Sequence, residues 1–345
     1  MKIDNLQIGL EQRPYIIAEI SANHNGSIDT AKKLIQLAQV NGASAVKLQT
    51  YTSDTITLDS DSPDFQIKTG LWQGRTLYEL YEQAHTPWEW HAELFAHAQQ
   101  LGITIFSSPF DKTAVDLLES LETPAYKIAS FEIVDHDLIS YVGSTGKPLI
   151  ISTGMASKDE IEEALQVATQ SGARDIALLH CLSAYPAPAS QYKLNTIGHM
   201  RRDFGCEIGL SDHSLGNELA IASIALGASL VEKHFTLDSS GSGPDDSFSM
   251  DPEQLSRLRA SLDLVHDSLG FDNYAIQDAE VESIQFRRSL YFVCDKSAGQ
   301  KLALEDLRSV RPGFGMPPKY LESIVGRELV RDVKFGDRVS PECFK

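Results

Sequence analysis

The chain has 345 residues, 42% of them apolar, with 48 acidic side chains against 30 basic ones and a formal charge of −18 at pH 7. That length exceeds a usual single domain and predicts a large domain followed by a small one. So acidic a surface excludes nucleic acid and anionic membranes as expected partners, because both select positive charge. Four scattered cysteines, Cys181, Cys206, Cys294 and Cys343, lack paired or metal-type spacing and point to free thiols. Residues 1–10 show no leader-like pattern, and no apolar run approaches the ~20 residues of a membrane span, so a cytoplasmic protein is expected.

Apolar runs bounded by turn residues predict eight strands, over 15–20, 45–50, 104–109, 125–130, 148–153, 176–181, 207–212 and 230–235. Helical patterns separate them, at 28–40, 87–101, 111–121, 138–144, 157–170, 194–203, 217–226 and finally 251–269. Ser157 and Glu160 form a capping-box pattern ahead of Ile161, Leu165 and Ala168. The strands are continuously apolar, as parallel strands buried on both faces must be. Eight strand-helix units in roughly 255 residues match a (β/α)8 TIM barrel over 1–270, with an open doubly wound sheet as the alternative. The long connection 51–86 carries Asp59, Asp61, Asp64, Lys68, Trp72, Arg75 and Tyr78, suited to covering a polyhydroxylated substrate; the plainer reading is a surface insertion. A polar linker over 271–284 precedes a second unit over 285–345, with a strand at 285–293, a short helical segment at 304–307 and an irregular loop at 310–313.

The predicted strand ends are unusually polar. They offer Glu19, then Lys47 and Gln49, then Ser107 and Ser108, then Lys127, Ser130 and Glu132. Ser152, Thr153 and Gly154 follow, then His180, Ser183 and Tyr185, then Ser211, Asp212 and His213, and finally Glu232, Lys233 and His234. A polar group in an apolar strand costs stability unless paired, so its repetition on one rim is hard to explain by packing. Two lysines among hydroxyls suit a phosphate or carboxylate, and Glu19 and Glu132 suit acid and base roles. A lone histidine is more often a buried polar group held by a carbonyl. His213 and His234, however, end adjacent strands of one β-α-β unit, where two imidazoles share a rim and a metal ion whose other ligands are water or substrate. A Schiff-base aldolase using Lys127 or Lys233 remains an alternative chemistry.

Several stretches together resemble the sialic acid synthase family: Asn23-His24-Asn25-Gly26, Lys47-Leu48-Gln49, Ser108-Pro109-Phe110, Tyr126-Lys127-Ile128-Ala129-Ser130, Ser152-Thr153-Gly154-Met155, Gly209-Leu210-Ser211-Asp212-His213, Glu232-Lys233-His234-Phe235, Gly243-Pro244-Asp245 and Val310-Arg311-Pro312-Gly313. The resemblance spans nearly the whole chain. It implies a (β/α)8 barrel followed by a small antifreeze-like (SAF) domain, in a domain-swapped homodimer that condenses phosphoenolpyruvate with an acylamino sugar. It further implies phosphoenolpyruvate on Lys47, Ser108, Lys127, Ser130, Ser152 and Ser211, and a divalent cation, Mn first with Mg or Co as alternatives, on His213 and His234. Gln49, Glu132, Tyr185 and Asp245 would meet the sugar, with Arg311 arriving from the partner's tail. Catalytic roles fall to Glu19, Glu132 and His213. In the run His180-Cys181-Leu182-Ser183-Ala184-Tyr185-Pro186, Ser183 stands where N-acetylneuraminate-making members have Asn. That residue, the 71–78 loop and Thr86-Pro87-Trp88-Glu89-Trp90-His91 are similar to the pseudaminic acid synthase branch, which uses a 2,4-diacetamido-2,4,6-trideoxy sugar; Leu71, Trp72 and Tyr78 would give its 6-deoxy end apolar cover. A legionaminate or N-acetylneuraminate synthase is the alternative within the family. A free binding module in the tail is the non-enzymatic reading.

Overall fold

A computed structural model describes residues 1–270 and 274–344. The chain divides into two compact units, Met1–Gly270 and Phe271–Lys345. Among the described residues of the first, eight parallel strands close into a barrel: Tyr15–Glu19 (β1), Ala45–Thr50 (β2), Thr104–Pro109 (β3), Tyr126–Ile128 (β4), Leu149–Ser152 (β5), Ile176–Cys181 (β6), Glu207–Asp212 (β7) and Leu230–His234 (β8). Each pairs with its neighbours in sequence, and β8 closes on β1 with His234 opposite Glu19. The open sheet is thereby excluded.

The main helices between and after the strands are Ile28–Val40 (α1), Trp88–Leu101 (α2), Lys112–Ser120 (α3), His136–Ser144 (α4), Lys158–Ser171 (α5), Thr196–Phe204 (α6), Glu218–Ala225 (α7) and Pro252–Leu269 (α8). Their starts follow from capping chemistry. The Ser157 hydroxyl accepts from Glu160 N while Glu160 accepts from Ser157 N, satisfying two amides that the first turn of α5 leaves open. Asp111 does the same for Thr113 and Ala114 at α3, and Asp135 accepts from Leu138 N, which starts α4 two residues earlier than its apolar pattern predicts.

Two layers of core result. Between strands and helices lie Ile16, Ala18, Val46, Leu48, Ile128, Ile151, Leu178, Leu210 and Val231, with helix residues such as Leu34, Leu94 and Leu258. Inside the barrel lie Tyr15, Ile17, Ala45, Phe106, Ala125, Ile150, Ala177, Leu179 and Leu230, with Ile3 and Ile8 beside them from the N-terminal segment. The two sets take alternate positions along the strands, with Gly209 at the inner position of β7, the period-2 geometry of a sheet. Gly209 belongs where β7 and β8 approach closely, since a Cβ there would lie 2.6 Å from the Leu230 carbonyl oxygen.

Two local expectations are corrected. The strand predicted over 125–130 stops at Ile128, because Ser130–Glu132 turns into a 3₁₀ helix closed by Glu132 N donating to Ala129 O. The connection 51–86 is not loop throughout; it holds helices Ser53–Ile56 and Leu77–Ala84, the second capped reciprocally by Thr76 and Glu79. α7 buries Ala220, Ser223 and Ile224, with Leu219 and Leu226 partly buried against the same core.

In the second unit, Ser289–Phe292 (β9) pairs antiparallel with Leu307–Val310 (β10) over a core including Leu290, Phe292, Leu302, Ile324, Leu329 and Val339. The strand predicted over 285–293 is thus shorter, and the loop predicted at 310–313 begins as a strand end. Positions 271–273 of the predicted linker lie outside the described residues, and its later part enters a 3₁₀ helix, Asp278–Phe286.

Candidate active site

The side chains in phase with the inner core continue upward past its last apolar layer, and there they turn polar. Glu19, Lys47, Gln49, Ser108, Lys127, Ser152, Cys181, Ser211, Glu232 and His234 each stand an even number of residues beyond an inner-core position or share its strand phase. They gather at the carboxyl ends of the strands, where the loops of this architecture are free to vary without disturbing the barrel.

Two buried ammonium groups organise the floor. Lys47 Nζ pairs with Glu19, donates to Ser108 Oγ at 3.0 Å and lies 3.7 Å from Glu232 Oε2. Lys127 Nζ donates to Glu232 Oε1 at 3.1 Å, and Ser211 Oγ donates to the same oxygen at 3.1 Å. Gln49 Nε2 reaches Glu19 Oε1 at 3.4 Å. The two carboxylates respond oppositely. Burial, reinforced by the Glu232 charge, raises Glu19 to about 7 against the pull of Lys47. Burial alone would raise Glu232 too, but Lys127 and Lys47 flank it and hold it well below the usual carboxylate range. Burial foremost lowers Lys127, with Lys47 adding repulsion.

Above this floor are polar groups without protein partners among the described residues. Ser152 Oγ is buried and makes no hydrogen bond among the described residues, and neither does Glu132 Oε2. Burial raises Glu132 to about 7. Ser130 Oγ accepts from Gly154 N at 3.1 Å, and Gly154 is required there: a Cβ would stand 2.2 Å from Ser183 Oγ and 2.8 Å from Ser130 Oγ. Buried polar atoms left open on one wall mark a place for a ligand.

The two histidines face each other at the opposite side, ring centroids 5.5 Å apart. His213 Nδ1 is engaged with Leu182 O at 3.0 Å, which fixes its ring, while buried His234 Nδ1 has no hydrogen-bond partner among the described residues and lies 3.6 Å from Asp245 Oδ2. Tyr185 packs 4.4 Å from His213 and 5.2 Å from Phe248. Among the described residues no three His, Cys, Asp or Glu side chains form a metal cluster. An orphaned imidazole nitrogen beside a second, oriented imidazole nonetheless fits a cation whose remaining ligands are exogenous.

Not every polar strand end joins the site. Lys233 points to the outer wall, its Nζ 2.9 Å from Asp212 Oδ2 and 2.6 Å from Ser214 O, so it is removed as a Schiff-base candidate. His180 also faces outward, Nε2 to Tyr192 O, as does Ser107, bonded to Thr50 and through it to His91. Arg311 belongs to the second unit and is exposed. The sequence put Glu232 on the rim without a role, although it is the carboxylate both lysines share, and gave none to Cys181, whose Sγ is 3.9 Å from His213 Nδ1. For Glu232 a signal existed: it precedes His234 by two positions on one strand and therefore shares its face.

Against known proteins, residues 34–274 match the NeuB family and residues 287–345 the SAF domain. The chain belongs to the NeuB family. It is 40% identical over 343 residues to the pseudaminic acid synthase of Campylobacter jejuni, covering 99% of this chain and 100% of that one. It is 41% identical over 332 residues to the pseudaminic acid synthase of Helicobacter pylori, covering 96% and 98%. Among solved structures, an N-acetylneuraminic acid synthetase from Leptospira borgpetersenii is 29% identical with a TM-score of 0.74, over 83% of this chain and 95% of that one. The NeuB match thus takes in β2 to β8, the strands that hold the lysines and lead to the histidines, and the tail is a SAF domain.

Proposed function

We propose that this NeuB-family chain condenses phosphoenolpyruvate with 2,4-diacetamido-2,4,6-trideoxy-L-altrose, consuming one water and giving pseudaminic acid and phosphate. The observation that carries the reading is the pairing of a two-lysine, multi-serine floor with two facing imidazoles on the same rim, in a chain 40% identical to a pseudaminic acid synthase. Lys47, Lys127, Ser108, Ser130, Ser152 and Ser211 would bind the phosphate and carboxylate of phosphoenolpyruvate, ammonium groups supplying charge and hydroxyls directed donors. Gln49, Tyr185 and Asp245 would orient the sugar. His213 and His234 would hold a divalent cation, Mn first and Mg or Co as alternatives, which when bound supplies Lewis-acid polarisation of the aldehyde oxygen.

The chain's own groups then account for the protons. The enol carbon C3 bonds to the aldehyde carbon, and the oxygen there takes a proton. Water adds at C2, losing a proton, and the tetrahedral centre expels phosphate. With Glu132 raised to about 7, a proton is available on a half-buried carboxyl near neutrality, which suits the donor role. Glu19, ion-paired with Lys47, would steady positive charge developing at C2. Arg311 would contribute from the partner's tail domain in a cytoplasmic, domain-swapped homodimer, a reading supported by the Val310-Arg311-Pro312-Gly313 motif.

Phosphate release from phosphoenolpyruvate by the chelated protein, with and without added Mn, tests the reading when the diacetamido sugar and N-acetylmannosamine are offered side by side. Release that needs both metal and the diacetamido sugar is expected. Faster release with N-acetylmannosamine would overturn the specificity, and a lysine adduct trapped by borohydride would overturn the chemistry.

A further inference from the structure

Of the three side chains in the 71–78 loop suited to cover a 6-deoxy sugar, only one reaches the site. Leu71 is exposed, and the Tyr78 hydroxyl turns away to donate to Asp54 Oδ1 at 3.2 Å. Trp72 is half-buried: its Nε1 donates to Pro244 O at 3.1 Å, tying the loop to the segment that carries Asp245. Its ring lies 5.9 Å from Tyr185, which in turn packs 4.4 Å from His213. An aromatic wall therefore runs outward from the histidines through Tyr185 to Trp72.

We propose that Trp72 is a specificity-determining residue, forming the apolar wall against the distal, C6 end of the sugar and rejecting sugars that carry a hydroxyl there. The inference rests on the reaction proposed above. A sugar whose aldehyde lies at the histidines extends along Tyr185, so its far carbon meets the indole. The only hydrogen-bonding group of that indole is already given to Pro244. A methyl group loses water against such a surface with gain, whereas a hydroxyl loses water and finds no donor or acceptor in the ring. Apolar cover of this kind discriminates against an added hydroxyl by about 100-fold at most, so a graded preference follows, not absolute exclusion.

The test compares kcat/KM for 2,4-diacetamido-2,4,6-trideoxy-altrose and its 6-hydroxy counterpart in the full-length protein and in Trp72→Ala and Trp72→Phe. The wild type is expected to prefer the deoxy sugar. Trp72→Ala should reduce that preference about ten-fold or more with an unchanged KM for phosphoenolpyruvate, and Trp72→Phe, which keeps an apolar ring but loses the Pro244 bond, should retain most of it. An unchanged sugar ratio in Trp72→Ala, whatever the total activity, overturns the proposal. So does a Phe variant as unselective as the Ala variant, because the Pro244 anchor would then be the whole effect. A wild type that turns over neither sugar overturns the proposed reaction and this inference together, while turnover with an unaltered ratio in Trp72→Ala overturns this inference alone.

Discussion

Lys233 and Asp212 form an ion pair sealed between the barrel wall and its helices, Nζ to Oδ2 at 2.9 Å with side chains 2% and 0% exposed. Asp212 also accepts from the Ser214 amide and hydroxyl, and Lys233 donates to Ser214 O, so the pair fixes the turn that carries His213. Lys233→Met leaves the carboxylate buried and uncompensated and should cost about 3–5 kcal/mol. Denaturant midpoints should show this loss. The double variant Lys233→Met with Asp212→Leu should recover much of it, since no unpaired charge remains.

Lys127 presents the opposite case, a buried lysine on the inner face whose counter-charge Glu232 is shared with Lys47. Lys127→Met should lower kcat/KM by about 10²–10³-fold, the range for losing one preorganised charge donor. Steady-state kinetics with varied phosphoenolpyruvate measure it, and an activity within two-fold of wild type would remove Lys127 from the substrate site.

The raised Glu132 makes a pH-dependent prediction. Its carboxyl titrates near 7 when folded against an ordinary 4.5, so between those values the folded protein keeps a proton that the unfolded chain has released. Stability from this group is intact below about 4.5, declines as pH rises to about 7, and is lost above. Glu132→Gln should therefore stabilise the protein by about 2–3 kcal/mol at pH 8 and leave it unchanged at pH 4. The same variant should lose about 10²–10⁴-fold in kcat if the carboxyl donates a proton. Paired unfolding and rate measurements across pH separate the two effects.

Gly154 is the tightest point of the serine wall. Gly154→Ala would drive a methyl group into Ser183 Oγ and Ser130 Oγ, and the shift needed to relieve it should cost about 1–3 kcal/mol. The KM for phosphoenolpyruvate should rise well before folding fails, because Ser183 and then Ser130 must give way. Thermal melts run beside the kinetics would check the order.

Much of this molecule was legible from residue order. Four of the eight strands, 45–50, 104–109, 176–181 and 207–212, match their apolar runs end to end, because parallel strands dry on both faces must be continuously apolar and are bounded by turn residues. The Ser157–Glu160 box marked the start of α5 for an equally local reason, two side chains closing on two amides within one turn. The short helices in 51–86 escaped notice because turn residues surround them and each spans too few residues to show a periodic face.

Residue order alone specifies the series of strands and helices and the rim on which the polar residues collect. Which of those residues meet was decided only by the tertiary structure. Glu232, Lys233 and His234 are consecutive, yet Glu232 and His234 face the lysines and histidine inside while Lys233 faces Asp212 outside. Strands wet on one face announce their orientation through alternating polarity. In this barrel both faces are dry, so the alternation is silent, and only closure of β8 onto β1 and β7 fixes which side each charge must take.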